Sequence, residues 1–228
     1  MWSKFAVPAV IVLVFVGTRI ARAELRIVSY NIDDADQLTD DNITQPYGGL
    51  PSVLQAIGQH HLGTNVQDMD ILGAEELNPT TLSNLVTSLN NPYGAGTYAY
   101  YPITDPTTGA GTDGLIYKPS TVQVVSATVI GTASGSGAAR APLRFKLRPI
   151  GYSSAADFYM YVSHYKAFAG SEDRRNFEAT EIRANADALG PDAHIIYSGD
   201  FNLVGGTSEP AWTTLTAAGN GQAVDPTG

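Results

Sequence analysis

The chain has 228 residues, is 43% hydrophobic and carries no cysteine, which allows one full core and excludes thiol nucleophiles and thiolate metal sites. Its formal net charge of −9, from 13 basic and 22 acidic residues, excludes a nonspecific electrostatic grip on polyphosphate. A nucleic-acid substrate would need local cations or bridging metal ions, and the lack of disulfides favours a bacterial exported protein over a secreted eukaryotic one.

At the N-terminus Lys4 precedes the apolar run FAVPAVIVLVFVG, followed by Arg19 and the small-x-small sequence ARA at 21 to 23. This pattern predicts a signal peptide, residues 1–23, cut after Ala23. A retained anchor held by Arg19 and Arg22 is the alternative, but the run is shorter than the ~20 residues a spanning helix needs. Cleavage removes Lys4, Arg19 and Arg22 and no acid, leaving 10 basic against 22 acidic residues and a charge of −12. The expected product is a monomer, secreted or periplasmic, without stable membrane association, and residues 24–228 form one domain with no internal linker.

LRIVSY (25–30) reads as the first strand, followed at 33–42 by an acidic loop whose spacing does not fit a calcium loop. A helical pattern begins near Pro51 with Leu54, Ile57 and His61 on one face, and DILGAEEL (70–77) is a second strand. Asn78 and Pro79 suit the N-cap and first position of a helix through TTLSNLVTSL. Strands are expected at AYYPI, LIYK, STVQVVSATVI, LRFKL and DFYMYVSHY, with GTASGSGAA (131–139) a flexible loop. The strongest helix is EDRRNFEATEIRANADAL (172–189); HIIYS is the last strand and a short helix surrounds Trp212. Many strands, few helices and no repeat fit a mixed sandwich better than a doubly wound sheet.

Four of these strands end in residues suited to metal or phosphate chemistry: Asn31, Glu76, His164, and Asp200 with Asn202. Singly each has a plainer explanation. Gly-Asp-x-Asn makes turns, adjacent glutamates are solvated, and a histidine at a strand end is usually structural. Together, at strand ends far apart in sequence, they can meet at one edge of a sheet.

LRIVSYNI, DILGAEEL, YVSHYKA and IIYSGDFN resemble the leading motifs of the endonuclease/exonuclease/phosphatase superfamily, which includes deoxyribonuclease I and neutral sphingomyelinases. Secreted bacterial members show a similar run after HYKA and a similar SEPAW segment. The resemblance implies an α+β fold, a four-layer α/β/β/α sandwich, and metal-dependent hydrolysis of a phosphodiester substrate, nucleic acid being one candidate. It assigns Mg²⁺ (or Mn²⁺) to Glu76, with help from Asn31. Asp200 would orient or deprotonate the attacking water, Asn202 would hold the phosphate, and His164 would donate to a non-bridging oxygen; Lys166 is a weaker phosphate-binding candidate. Glu76 rather than Glu75 takes the metal role because the family often has glutamine at the Glu75 position.

The family also ends with an Asp-His pair, whereas no histidine follows His194 here. The expectation is therefore a domain incomplete at the C-terminus, poorly folded and of little activity. Two further readings stay open: a phosphatase or sphingomyelinase-like phosphoesterase, and a catalytically inactive secreted fragment. GAGTDG (109–114) matches a dinucleotide fingerprint but leads into a strand, so it is expected to be a flexible loop. His60 and His61 are expected to be solvated, Asn42 is a glycosylation acceptor only in a glycosylating host, and no GxSxG elbow exists. Arg140, Arg174 and Arg175 are expected to be solvated, with Arg175 or Arg183 pairing Glu178 or Glu181 along the helix.

Overall fold

The structure, a computed structural model, describes residues 11–15, 24–32, 50–59, 67–77, 81–101 and 112–225. Strands β1 (Ile11–Phe15), β2 (Glu24–Asn31), β3 (Ile71–Leu77), β4 (Ala99–Tyr101) and β5 (Thr112–Tyr117) form one sheet in the order β1-β2-β3-β5-β4. Strands β6 (Val122–Val129), β7 (Leu143–Pro149), β8 (Phe158–His164) and β9 (His194–Asp200) form a second sheet in sequence order. Helices α1 (Leu50–Gln59) and α2 (Thr81–Tyr93) belong to the first half, and α3 (Glu172–Asp187) and α4 (Pro210–Thr216) to the second.

Most neighbours run antiparallel, but β2/β3 and β8/β9 are parallel. A parallel pair needs a crossover, and α1 and α3 are in those crossovers. Each half thus has two adjacent strands pointing the same way, with their C-terminal ends side by side. Those ends carry Asn31, Glu76, His164 and Asp200.

Side-chain alternation produces the layering. Leu25 and Ile27 of β2, Ile71 of β3 and Leu115 of β5 face Leu143, Phe145 and Leu147 of β7 and Phe158, Met160 and Val162 of β8. The opposite face of the first sheet, through Val28, Leu72 and Ile116, packs on Leu54 of α1 and on Leu82, Leu85 and Leu89 of α2. Tyr161 on the outer face of the second sheet packs on Ala179, Ile182 and Ala186 of α3 and Leu215 of α4. The result is the expected helix, sheet, sheet, helix sandwich. Gly73 lies where the sheets approach, since a Cβ there would come 2.9 Å from Met160 and 3.1 Å from Ser198.

Three expectations are corrected. Thr112–Gly114 of GAGTDG are not loop but the start of β5, paired with Leu77 and Ala74. Gly114 leaves room there: a Cβ would sit 2.7 Å from Leu77 and 3.3 Å from Leu82, so those two leucine side chains would have to shift. The 131–139 segment is tied down rather than free. Arg174 donates to the carbonyls of Gly137 and Ser134, both at 2.8 Å, and Ala139 N–H donates to Glu178 at 2.7 Å. The third correction concerns Arg175 and Arg183, neither solvated nor paired with Glu178 or Glu181. Arg175 is fully buried and makes a two-pronged contact with Glu209, at 2.7 and 2.8 Å. Arg183 donates to the Thr214, Leu215 and Ala217 carbonyls, satisfying the last turn of α4, and reaches Asp187 at 3.2 Å.

The leader expected at 1–23 lies mostly outside the described residues; within it, Ile11–Phe15 runs antiparallel to β2. His60, His61, Asn42, Asn78, Pro79 and the acidic loop at 33–42 also fall outside them. Among the described residues no helix is long and apolar enough to cross a membrane.

The Arg175–Glu209 pair joins α3 to the segment before α4, and losing one partner strands a buried charge. Glu209→Ala should cost about 3–5 kcal/mol in urea unfolding, and an apolar double replacement of both residues should cost less. The arginine also holds the Glu209 carboxyl below the usual glutamate range. The pair's contribution is therefore complete above the ordinary glutamate pKa and is lost as pH falls through the lowered value. Unfolding midpoints measured from pH 7 downward should fall more steeply in the wild type than in Glu209→Gln over that acid interval.

Candidate active site at the ends of four strands

The alternation that builds the core also aims the polar ends. Asn31 follows Leu25 and Ile27 in phase, His164 follows Phe158, Met160 and Val162, and Asp200 follows Ile196, so all three point between the sheets. In the parallel register His164 lies opposite Asp200, and Tyr165 N–H donates to the Asp200 carbonyl at 2.9 Å, extending the pairing past the strand end. Tyr161 and Tyr165 point the other way, into the helix layer.

Glu76 breaks the pattern in a useful way. Strict alternation would place Glu75 between the sheets and Glu76 on the helix side. The β3/β5 register shifts between Ala74 and Leu77, and Glu76 has φ +57°. This bulge turns Glu76 towards the other strand ends. Glu75 remains buried beneath, accepting from Ser29 Oγ at 3.1 Å, and burial, then the Asp113 charge, push its carboxyl well up from the usual glutamate value.

Asn31 joins the two sheets. Its Nδ2 donates to Glu76 Oε1 at 3.0 Å and lies 3.4 Å from Asp200 Oδ2. His164 Nε2 is 3.4 Å from the same Glu76 oxygen. Burial, then the Arg140 and Lys166 charges, lower the imidazole pKa to about 3, so the contact is between a neutral ring and a carboxylate. Asp200 Oδ1 accepts from Asn202 N–H at 3.0 Å, and Asn202 Nδ2 donates to the Tyr165 carbonyl at 3.0 Å. Asn202 has φ +47°, a conformation asparagine tolerates better than most residues, and Phe201 meets the Tyr165 ring edge-on at 5.1 Å.

The predicted residues are therefore together: Glu76 and Asp200, on different sheets, converge on one amide. Lys166 lies beside the cluster, its charge felt by His164, and its Nζ sits over the Phe168 ring at 5.3 Å. Sequence reasoning missed Asp113. It is fully buried on β5, faces between the sheets, and lies beside the His164 backbone N–H, whose dipole acts against the rise in its pKa. Arg140, also buried rather than solvated, donates to the His164 carbonyl at 3.4 Å. Asp113 and Arg140 thus flank the His164 backbone, one on its N–H side and one on its carbonyl side. Burial outweighs the Arg140 charge and pushes the Asp113 carboxyl up to about 7. The available signal was an acid in phase with Leu115, hidden by the glycines around it.

Glu75, Glu76, Asp113 and Asp200 crowd one small region against Arg140 and Lys166. Glu76 and Asp200 with the Asn31 amide make an all-oxygen donor set once the amide presents its oxygen, and an excess of carboxylate favours a cation there. Among the described residues no three His, Cys, Asp or Glu side chains are grouped so as to hold a metal ion. The donors fit a hard cation of the magnesium type, which takes one or two carboxylates and keeps several waters, better than zinc.

No family model matches the chain, and no curated protein matches it in sequence. Solved structures do match. The human Nocturnin catalytic domain, described with a bound sulfate anion, is 17% identical and covers 89% of this chain and 76% of its own, with TM-score 0.63. An endonuclease/exonuclease/phosphatase family protein from Bacteroides thetaiotaomicron is 17% identical over 83% of this chain and 67% of its own, with TM-score 0.60. The chain has the endonuclease/exonuclease/phosphatase fold. D. rerio TDP2, described in complex with a single-strand DNA product, is 20% identical over 78% of this chain, with TM-score 0.56, and this chain spans 61% of it. At such identities the likeness is one of fold, and it agrees with the layers and the paired parallel strands described above.

The fold places one backbone constraint directly at the site. Gly199 has φ +136°, and a Cβ there would fall 1.8 Å from the Ser163 carbonyl oxygen. No side-chain adjustment relieves a backbone clash. Gly199→Ala should destabilise the protein by about 3 kcal/mol or more and separate His164 from Asp200, read as a lowered thermal midpoint with loss of the β8/β9 amide protection in hydrogen exchange.

Proposed function

We propose that the chain is a divalent-metal-dependent phosphodiesterase of nuclease type, hydrolysing its substrate with an activated water through the residues at its four strand ends, without the Asp-His pair whose absence suggests little activity. The observation that carries this reading is the convergence of Glu76 and Asp200 on Asn31, fixed by a bulge in one sheet and a glycine contact in the other. The sulfate in Nocturnin and the DNA product in TDP2 support it as properties of proteins sharing the fold.

In this reading Mg²⁺ or Mn²⁺, held by Glu76 and Asn31, would supply Lewis-acid neutralisation of the phosphoryl charge. The remaining work falls to the chain. Asp200, with Oδ1 fixed by the Asn202 N–H, presents its other oxygen to orient and deprotonate the attacking water. His164, neutral, donates its ring hydrogen to a non-bridging phosphate oxygen without needing to titrate. The Asn202 amide, anchored to the Tyr165 carbonyl through one hydrogen, keeps its other for the phosphate. Asp113 and Arg140 hold the His164 backbone in place as positioning residues. The water oxygen bonds to phosphorus as the bond to the leaving oxygen breaks, that oxygen takes up a proton from solvent while Asp200 gives its own back, and no protein nucleophile is required.

Export is part of the proposal: the N-terminal run and ARA would be removed after Ala23, leaving a secreted or periplasmic enzyme. Intact mass of protein recovered from the periplasm or medium should start at Glu24; an unprocessed mass would reject export by this route.

Hydrolysis of plasmid DNA, RNA, sphingomyelin and bis-p-nitrophenyl phosphate, each with Mg²⁺ or with EDTA, tests the activity. Turnover of the nucleic acids and the synthetic diester should vanish with EDTA. Glu76→Ala and Asp200→Asn should each lower kcat/KM by about 10²- to 10⁴-fold with unchanged thermal midpoints. Equal turnover in EDTA, or full activity in both variants, would refute the assignment, while cleavage confined to sphingomyelin would move it to a lipid phosphoesterase.

A further inference from the structure

Three non-glycine residues among the described ones have positive φ: Glu76, Asn202 and Phe168. The first two belong to the site. Phe168, at φ +78°, lies four residues past His164, and a bulky aromatic in that region is strained and needs a reason to stay there. It is also 74% exposed, against 46% for Phe177, so burial of its ring is not the reason.

The loop carrying it is fixed from below. Arg175 donates to the Lys166 carbonyl at 3.0 Å and to the Phe168 carbonyl at 2.9 Å, and is itself clamped by Glu209. The strained backbone is thus over-determined by a buried guanidinium, which presents the ring outward. Lys166 Nζ covers one face of that ring at 5.3 Å while its charge reaches His164. In a chain of net charge −9, this places a cation and an aromatic face side by side next to the carboxylate cluster.

We propose that Lys166 and Phe168 form a nucleobase subsite, Lys166 meeting a backbone phosphate and Phe168 stacking on the adjoining base, so that base-bearing phosphodiesters are the preferred substrates. This rests on the phosphodiesterase reading above. A base offers a flat π-face to the uncovered side of the ring, and its phosphate pairs with the ammonium two residues away. A lipid surface is the poorer match, because Ala167, Ala169, Gly170 and Ser171 give the loop no second large apolar side chain to insert.

The test measures fluorescence anisotropy of the purified chain with Mg²⁺ at fixed salt. It compares 5′-labelled oligothymidylate with an equally long chain of abasic deoxyribose phosphates, and hydrolysis is followed in the same samples. The wild type should bind the base-bearing strand about 10-fold more tightly. Phe168→Ala should abolish that preference, Phe168→Trp should keep it, and Lys166→Ala should weaken both strands alike. No binding to either strand, no preference in the wild type, or a preference surviving Phe168→Ala overturns the subsite. So does Phe168-dependent binding to sphingomyelin vesicles in place of DNA. Base preference without hydrolysis removes the phosphodiesterase reading and leaves the subsite standing; hydrolysis without base preference does the reverse.

Discussion

One amide group holds the two halves of this protein in chemical contact. The Asn31 side chain is the place where a carboxylate of the first sheet and a carboxylate of the second meet, 169 residues apart in sequence for its contact with Asp200. Two like charges drawn to one point repel unless something positive stands between them. The surrounding architecture supplies the compression: a packed layer of leucine, isoleucine, valine and phenylalanine keeps the sheets together just behind the site. The core and the chemistry are therefore linked, because the same in-phase side chains that bury the interior deliver Asn31, His164 and Asp200 to its edge.

The site also rests on buried charge placed behind its working groups. Asp113 and Arg140 flank the His164 backbone, and the Arg175–Glu209 pair grips the loop that follows. Such groups are costly to desolvate singly and stable mainly as satisfied sets. Their arrangement trades some intrinsic stability for a fixed geometry at the strand ends, where a small displacement would spoil alignment with a phosphate.

Much of this was legible in the sequence, for physical reasons that can be named. β-Branched and aromatic runs marked β2, β6, β8 and β9, and LRFKL showed its half-buried alternation directly. The polar residues at strand ends were visible because each interrupts an apolar run. What stayed hidden was non-local or broke the period. Alternation alone would have chosen Glu75 over Glu76, since a bulge leaves no compositional mark. Asp113 was masked by a glycine-rich sequence, in which the role of Gly114, room for the Leu77 and Leu82 side chains, depends on residues far from it in the chain. The partner of Arg175 lies 34 residues away, where helix spacing rules cannot reach.

The bulge at Glu76 has a consequence for how such a chain can change over time. A strand whose functional side chain depends on one surplus residue tolerates swaps of side chain more readily than changes of length. Deleting one position between Ala74 and Glu76 would restore regular pairing with β5 and set Glu76 opposite Asp113 between the sheets, giving a tidier strand without the turn that aims the acid at the other strand ends. Variation in length is free to accumulate in hairpins such as the exposed one joining β7 to β8, while β3 stays locked to its imperfect count.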